Sequence, residues 1–246
     1  MDSRIFIGTA GWNVPARHAA AFPPGGSHLQ RYAARLPAVE INTSFYRSHR
    51  RATYERWAAS VPEDFRFAVK LPRAVTHRSS LDGGDEALGR FLDEVGGLGS
   101  RLGVLLVQTP PRHRFDSVAA RRFFAALSSW AVACEPRHPS WFTPQADALL
   151  ESLRVARVAA DPPPCAGAGE PGGWRGLSYF RLHGSPRIYH SDYDADTLRA
   201  LQGRLEAERR TGRPVWCIFD NTADFHALGN ALSVDAALHA AGAVSP

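Results

Sequence analysis

Lysine is all but missing from this chain. Lys and Arg together number 29 in 246 residues, and Lys70 is the one lysine. The arginines are scattered, with Arg-Arg pairs as their densest clusters, so no basic tail or run is available to wrap a polyanion. Cysteine is scarce as well: Cys134, Cys165 and Cys217 are odd in number and form no CxxC. That rules against a disulfide framework and structural zinc, and points to free thiols in a reducing compartment. No apolar run approaches the ~18 residues of a membrane span. The opening MDSRIFIGTAGW carries a charge where an export signal needs its apolar core, so a cytoplasmic protein without membrane contact is expected. GxSxG, the P-loop, HExxH and HxH are all absent, and GTAGWNVP after the first apolar run is not a dinucleotide fingerprint.

What is present is a rhythm. Eight short apolar runs lie near residues 4–11, 38–44, 65–71, 102–109, 131–137, 155–161, 177–184 and 215–221. Between most of them are helical patterns such as RATYERWAASV, DEALGRFLDEV and DTLRALQGRLEAERR. Pro144 sits at the first turn of one such pattern, with Thr143 as its N-cap. The interval after the sixth run, DPPPCAGAGEPGGW, is too rich in Pro and Gly for a helix. Strand and helix in alternation predict an α/β fold with a parallel sheet. Eight units in this length fit a single (β/α)8 TIM barrel over 1–246, its sixth βα unit irregular.

Polar residues arrive at the ends of these strands. By the two-residue alternation, Glu40 and Asn42 share a face, as do Glu135 and Arg137, while Lys70 follows Ala68. Tyr179, Arg181 and His183 share another, and Gln108, Asp161, Asp220 and Asn221 close their own strands. In a barrel these ends form the face that carries active sites. The expectation is one polar basin gathered from seven strands.

The segments IFIGTAGW, VEINTSFYR, FRFAVKLPRAVTH, LLVQTPP, EPRHPSWF, YFRLHG and FDNTADFHALGNAL, in this order, resemble the domain of unknown function 72 family, the YecE-like proteins. The resemblance covers nearly the whole chain. It implies a (β/α)8 barrel in a bacterial or archaeal cytoplasm, and supplies no reaction. The family's pattern maps onto Glu40, Asn42, Phe45, Tyr46, Arg47, Lys70, His77, Glu135, Arg137, His138, Trp141, Arg181, His183, Gly184, Tyr189 and Tyr193. FDN stands here where the pattern has FNN, so Asp220 adds an acid.

Lys70 on an inward face has three chemical readings: a point charge for an anion, a counter-ion for Glu40 and Glu135, or a nucleophilic amine. An ammonium is compact and loses its proton when desolvated, which guanidinium does not. Its retention by chance is the bland alternative. Lys70, Arg137 and Arg181 together read as a clamp for phosphate or carboxylate. Glu40 or Glu135 is then the candidate base, and His183 or His138 the acid. Asn42, His77, Gln108 and Asn221 complete the binding set. Trp12, Phe45, Tyr46, Trp141, Tyr189 and Tyr193 are expected to rim the mouth. A divalent metal held by Glu135, Asp161 and His183 is the rival occupant, and no other cofactor is indicated; three nearby cations oppose it. His138, before Pro-Ser-Trp, reads equally well as a loop cap.

Three function classes follow. The first is an enzyme, a hydrolase or isomerase acting on an anionic, phosphorylated small molecule. The second is a nucleic-acid-binding or nuclease-like protein, motivated by the net charge of +5 and the aromatic rim. The third is a non-catalytic ligand-binding barrel. Nothing in the sequence identifies a protein partner.

Overall fold

A tyrosine hydroxyl is threaded between the first two strands of this protein, and that insertion shapes the sheet. The computed structural model describes residues 4–78, 81 and 83–242. The strands are β1 (Ile5–Thr9), β2 (Ala38–Ile41), β3 (Arg66–Lys70), β4 (Leu102–Gln108), β5 (Val132–Glu135), β6 (Val155–Arg157), β7 (Ala159–Asp161), β8 (Gly172–Gly173), β9 (Ser178–Leu182) and β10 (Val215–Phe219). The helices are α1 (His28–Ala33), α2 (Arg51–Ala59), α3 (Arg73–Thr76), α4 (Glu86–Val95), α5 (Ser117–Ala125), α6 (Pro144–Ser152), α7 (Ala195–Arg209) and α8 (His226–Gly242). Each of the eight apolar runs contains a strand. Pro144 opens α6, and the Thr143 hydroxyl accepts from the Ala146 amide as its cap. The Pro/Gly-rich interval after the sixth run forms no helix, only the two-residue β8.

The ladders run β1-β10-β9-β7 in one sheet and β2-β3-β4-β5-β6-β8 in the other. All pairings are parallel except β6 with β8. This is a mixed α/β fold with parallel sheets. The single closed ring expected from the sequence is not what the hydrogen bonds trace, and the departures fall at two seams. At the first seam the Thr9 amide donates to the Tyr32 hydroxyl (2.9 Å), which donates to the Ala38 carbonyl (3.0 Å). The hydroxyl thus takes the place of a direct strand-to-strand bond. A Cβ on Gly8 would meet the Ala38 carbonyl oxygen at 2.3 Å, so only glycine fits this close approach. Direct pairing resumes one step later, where Ala10 bridges Glu40 and the Gly11 amide donates to the Glu40 carbonyl. At the second seam the sixth strand breaks at Val158. Its first half, β6, pairs with β5, and its second half, β7, pairs with β9.

Apolar residues separate into two layers by strand parity. Phe67, Val69, Leu105, Val107, Cys134, Phe180 and Phe219 face the helices. Ala38, Ala68, Ala133, Ala156, Leu106, Tyr179, Trp216 and Ile218 face the other way. Small alanines from β2, β3, β5 and β6 stand beside a stack of Phe6 on Trp216 (centroids 4.8 Å apart) and Tyr179 on Trp216 (6.0 Å). Rings and methyls together fill the inner space, as dense packing requires. This plug is the floor on which the strand-end polar residues stand.

Candidate functional site

Arg181, with no exposed surface, is the hub. Two residues before it on the same face of β9 is Tyr179, and His183 follows at the strand's end. Arg181 Nε and Nη2 donate to the two carboxylate oxygens of Glu40, at 3.0 and 2.6 Å. Its Nη1 donates to Glu135 Oε2 (2.7 Å) and its Nη2 also to Asp220 Oδ2 (3.0 Å). The Tyr179 hydroxyl adds a third donor to Glu40, at 3.0 Å. One guanidinium therefore gathers acids from β2, β5 and the end of β10. Its fork geometry serves three carboxylates at once, which an ammonium cannot do.

His183, equally buried, lies between Asp220 Oδ2 (Nδ1, 3.0 Å) and Glu135 Oε1 (Nε2, 2.8 Å). Burial alone would favour the neutral ring. The two flanking carboxylates outweigh it and raise the pKa above its ordinary value. Arg137 Nη2 meets Glu135 Oε1 at 2.6 Å and His183 Nε2 at 3.0 Å. With the ring protonated, Arg137 and His183 are two donors sharing one carboxylate oxygen. Burial would raise the Glu135 carboxyl, but Arg137, Arg181 and His183 hold it well below the usual range. Asp220 is lowered in the same way: burial opposes, and Arg181, His183 and Lys70 prevail.

Lys70 differs from these cations. It is 5% exposed, and among the described residues it forms no salt bridge. The Phe45 ring lies 4.3 Å from its Nζ. Ser44 holds the Phe45 loop in place by donating to the carbonyls of Lys70 and Ile41. Burial and then the Arg181 charge lower the Lys70 pKa to about 8, against the pull of Glu40, Asp220 and Glu135. The Phe45 ring also meets His77 edge-on at 5.0 Å. His77 is pushed down to about 4 by burial and by Lys70, Arg73, Arg112 and His113.

The sequence-predicted residues thus divide. Glu40, Glu135, Arg137, Arg181 and His183 converge, with Lys70 beside them. Asn42 Oδ1, Gln108 Oε1 and Arg137 Nε are buried at the strand ends with no hydrogen-bond partner among the described residues. Tyr46 is 76% exposed, and Tyr189 stands in the left-handed region (φ 69°) with its ring edge-on to His183 at 5.8 Å. Trp141 does not rim the mouth. It is 1% exposed, packs on Phe115, and donates to the His113 carbonyl. Tyr193 is buried too, bridging Asp161 Oδ1 and the Gly184 amide through its hydroxyl. His138 takes its capping role, Nδ1 accepting from the Ser140 amide. Asn221 uses its amide group on Ser191 and Asn230, which ties down the loop after β9.

The metal alternative loses its geometry. Asp161 is engaged by Tyr193, and both ring nitrogens of His183 face carboxylates already held by arginine. Among the described residues no three His, Cys, Asp or Glu side chains can hold a metal ion. Two roles were not expected from the sequence: the Tyr179 hydroxyl as a donor to Glu40, and Phe45 as the cover of Lys70. The parity that aligned Tyr179 with Arg181 was signal enough for the first.

Two depressions flank the Phe45–Tyr46 loop. A cleft of about 610 Å³ includes Trp12, Asn42, Tyr46, His49 and Trp57 in its walls. A groove of about 530 Å³ is walled by Phe45, Tyr46, Arg47, Arg73, His77 and Arg78 among others.

Comparison with known proteins gives this arrangement a family. The curated relatives include the UPF0759 protein YecE of Escherichia coli K12, 29% identical over 143 residues covering 56% of this chain and 50% of that protein. The UPF0759 protein YunF of Bacillus subtilis 168 is 30% identical over 152 residues, 57% of this chain and 53% of that protein. These matches span about half the length of each relative. A solved DUF72 family protein from Enterococcus faecalis V583 superposes with a TM-score of 0.82 at 21% identity, over 96% of both chains. One from Thermotoga maritima MSB8 gives 0.78 at 22% identity, over 96% of this chain and 99% of that one. At such identity the likeness concerns the fold alone. The family model described as "Protein of unknown function DUF72" matches residues 6–245, and the chain belongs to that family.

Proposed function

We propose that the strand-end basin binds a small anionic ligand, a phosphorylated or carboxylated metabolite, and moves protons on it, as a hydrolase or isomerase does. The observation that carries this reading is the charge count around Lys70. Three carboxylates, Glu40, Glu135 and Asp220, are all claimed by Arg181, Arg137 and His183. Lys70 is then a surplus cation, largely desolvated and, among the described residues, in salt-bridge contact with no carboxylate. A charge held that way is costly unless a ligand supplies its partner. Asn42 Oδ1, Gln108 Oε1 and Arg137 Nε, without partners among the described residues, offer two acceptors and a donor at the ends of β2, β4 and β5. Arg47, Arg73 and Arg78 in the adjoining groove would draw an anion toward the same place.

Roles within the set follow from what each group has left. Glu40 has no exposed surface and both oxygens engaged, so it acts by positioning Arg181. Glu135 and His183 share a proton path beside Arg137, and His183 as imidazolium is the donor. We read the two sheets, joined at their two seams, as halves of a (β/α)8 arrangement with its site at the carboxyl ends of the strands. A cytoplasmic setting is supported by three unpaired cysteines, and no helix among the described residues is long and apolar enough to cross a membrane. The test is titration with inorganic phosphate and a panel of phosphorylated metabolites, followed by calorimetry and product analysis. Saturable binding with turnover of one compound supports the reading, and no binding in wild-type protein ends it.

A second reading is favoured by one feature. Tyr46, 76% exposed, stands beside Arg47 above a groove that also holds Arg73 and Arg78. An aromatic platform with guanidinium on both sides suits a single-stranded phosphodiester. Fluorescence anisotropy with labelled single-stranded DNA or RNA at low salt decides it, and a flat titration excludes it.

A further inference from the structure

An anion clamp has no need of an amine that can lose its proton. Arginine would serve better, and this chain uses arginine everywhere else. Among the described residues Lys70 also lacks what a permanent ammonium normally keeps, a carboxylate in salt-bridge contact. Among the described residues, the charged and aromatic groups facing it are these. Glu40 on β2, Glu135 on β5 and Asp220 after β10 are acids, but each is already bonded to Arg181. Arg181 on β9 is a like charge, His77 lies beyond α3, and the Phe45 ring covers Nζ. Desolvation beside another cation is the environment that turns a lysine into a nucleophile at neutral pH.

We propose that Lys70 is a covalent site, its amine forming a Schiff base with a keto or aldehyde group carried by an anionic ligand. This rests on the reading that the basin admits anions, and goes beyond it by naming the ligand's reactive group. The free amine attacks the carbonyl carbon, a C–N bond forms, and a carbinolamine results. Its hydroxyl leaves as water with a proton taken from solvent, the C–O bond breaks, and a protonated imine remains. The iminium carries the positive charge that the ammonium carried, so Phe45 and the three carboxylates still face a cation. The ligand's own negative charge falls to Arg137 and the groove arginines. Depression of the amine to about pH 8 leaves a usable free-base fraction in the physiological range.

The composition makes the test clean. Lys70 is the single lysine, so the chain's other reactive amine is its α-amino terminus. The protein is incubated at pH 8 with pyruvate, with dihydroxyacetone phosphate, or with neutral acetone, then reduced with sodium borohydride. Intact mass and peptide mapping read the product, whose mass increases by that of the carbonyl compound less one oxygen. The expected result is one adduct on the Lys70 peptide with an anionic probe, formed faster than on the α-amine. Its yield rises as pH increases through about 8, and it is lost in K70R and K70M proteins that retain wild-type circular dichroism. Labelling of the α-amine alone, or equal labelling of Lys70 by acetone, overturns the proposal. Phosphate binding is measured on the same preparation. No adduct with phosphate bound sinks the covalent step alone, while no adduct and no phosphate binding sinks the anion reading too.

Discussion

Arg181 and Glu40 face each other through two parallel hydrogen bonds, 3.0 and 2.6 Å long, and neither side chain has any exposed surface. The pair joins β9 to β2, strands that share no ladder. A charge pair sealed this way contributes little when intact, because desolvation offsets its attraction. Its weight appears when one partner goes.

Removing the hub therefore costs far more than its contacts suggest. Arg181→Met would leave three buried carboxylates short of their common partner. We expect a loss of about 3–5 kcal/mol in urea-denaturation stability, the range for breaking a buried ion pair. Arg181→Lys is expected to rescue little, since an ammonium cannot reach three carboxylates in this fork. Full stability in the Lys variant would show that the geometry is not required.

Lys70 makes the opposite prediction. Its folded pKa, about 8, lies below the 10.5 of the free side chain, so between those values the unfolded chain binds more protons. Wild-type stability should gain from this group as pH rises from 8 to 10.5. Below pH 8 the buried ammonium is a penalty of up to about 3 kcal/mol. Lys70→Met should be the more stable protein at pH 7, and the gap should close across that window. Parallel pH–stability curves for the two proteins would contradict this account.

His183 is shifted the other way. A histidine whose folded pKa is raised stabilises the protein fully below about 6.5, and that stabilisation is lost as pH climbs through the folded value. Glu135 and Asp220, both lowered, lose theirs only in acid. His183→Gln should then be most destabilised relative to wild type in mildly acidic solution, with the difference narrowing toward alkaline pH. Nitrogen-15 spectra of the imidazole should show both ring nitrogens protonated at pH 6.

Trp141 and Arg137 separate packing from binding. Trp141→Ala should cost about 3–5 kcal/mol, the range for emptying a large aromatic from a core. It also orphans the His113 carbonyl. Arg137→Ala should keep the fold while weakening phosphate binding, and His138→Ala, which removes only a loop cap, should leave phosphate affinity unchanged. Calorimetric titration of the three variants distinguishes these outcomes.

Strand parity alone placed Glu40, Lys70, Glu135, Arg181 and His183 on inward faces, because side chains alternate with a period of two whatever the sheet does next. Helix boundaries at Pro144 and the missing helix after β7 were likewise written locally, in proline geometry and glycine content. Which charges pair was not. Glu40 and Arg181 lie 141 positions apart, and their bidentate contact exists only because β2 and β9 converge. The fate of Trp141, sealed against Phe115 rather than open to ligand, depended on a neighbour 26 residues away. The Tyr32 hydroxyl between β1 and β2 had no signature, since a tyrosine on a helix reads as ordinary core until the strand spacing around it is known. Periodicity and backbone preference act over a few residues, so they can be read along the chain. Ion pairing and desolvation act through space, and only the tertiary structure brings those groups within reach.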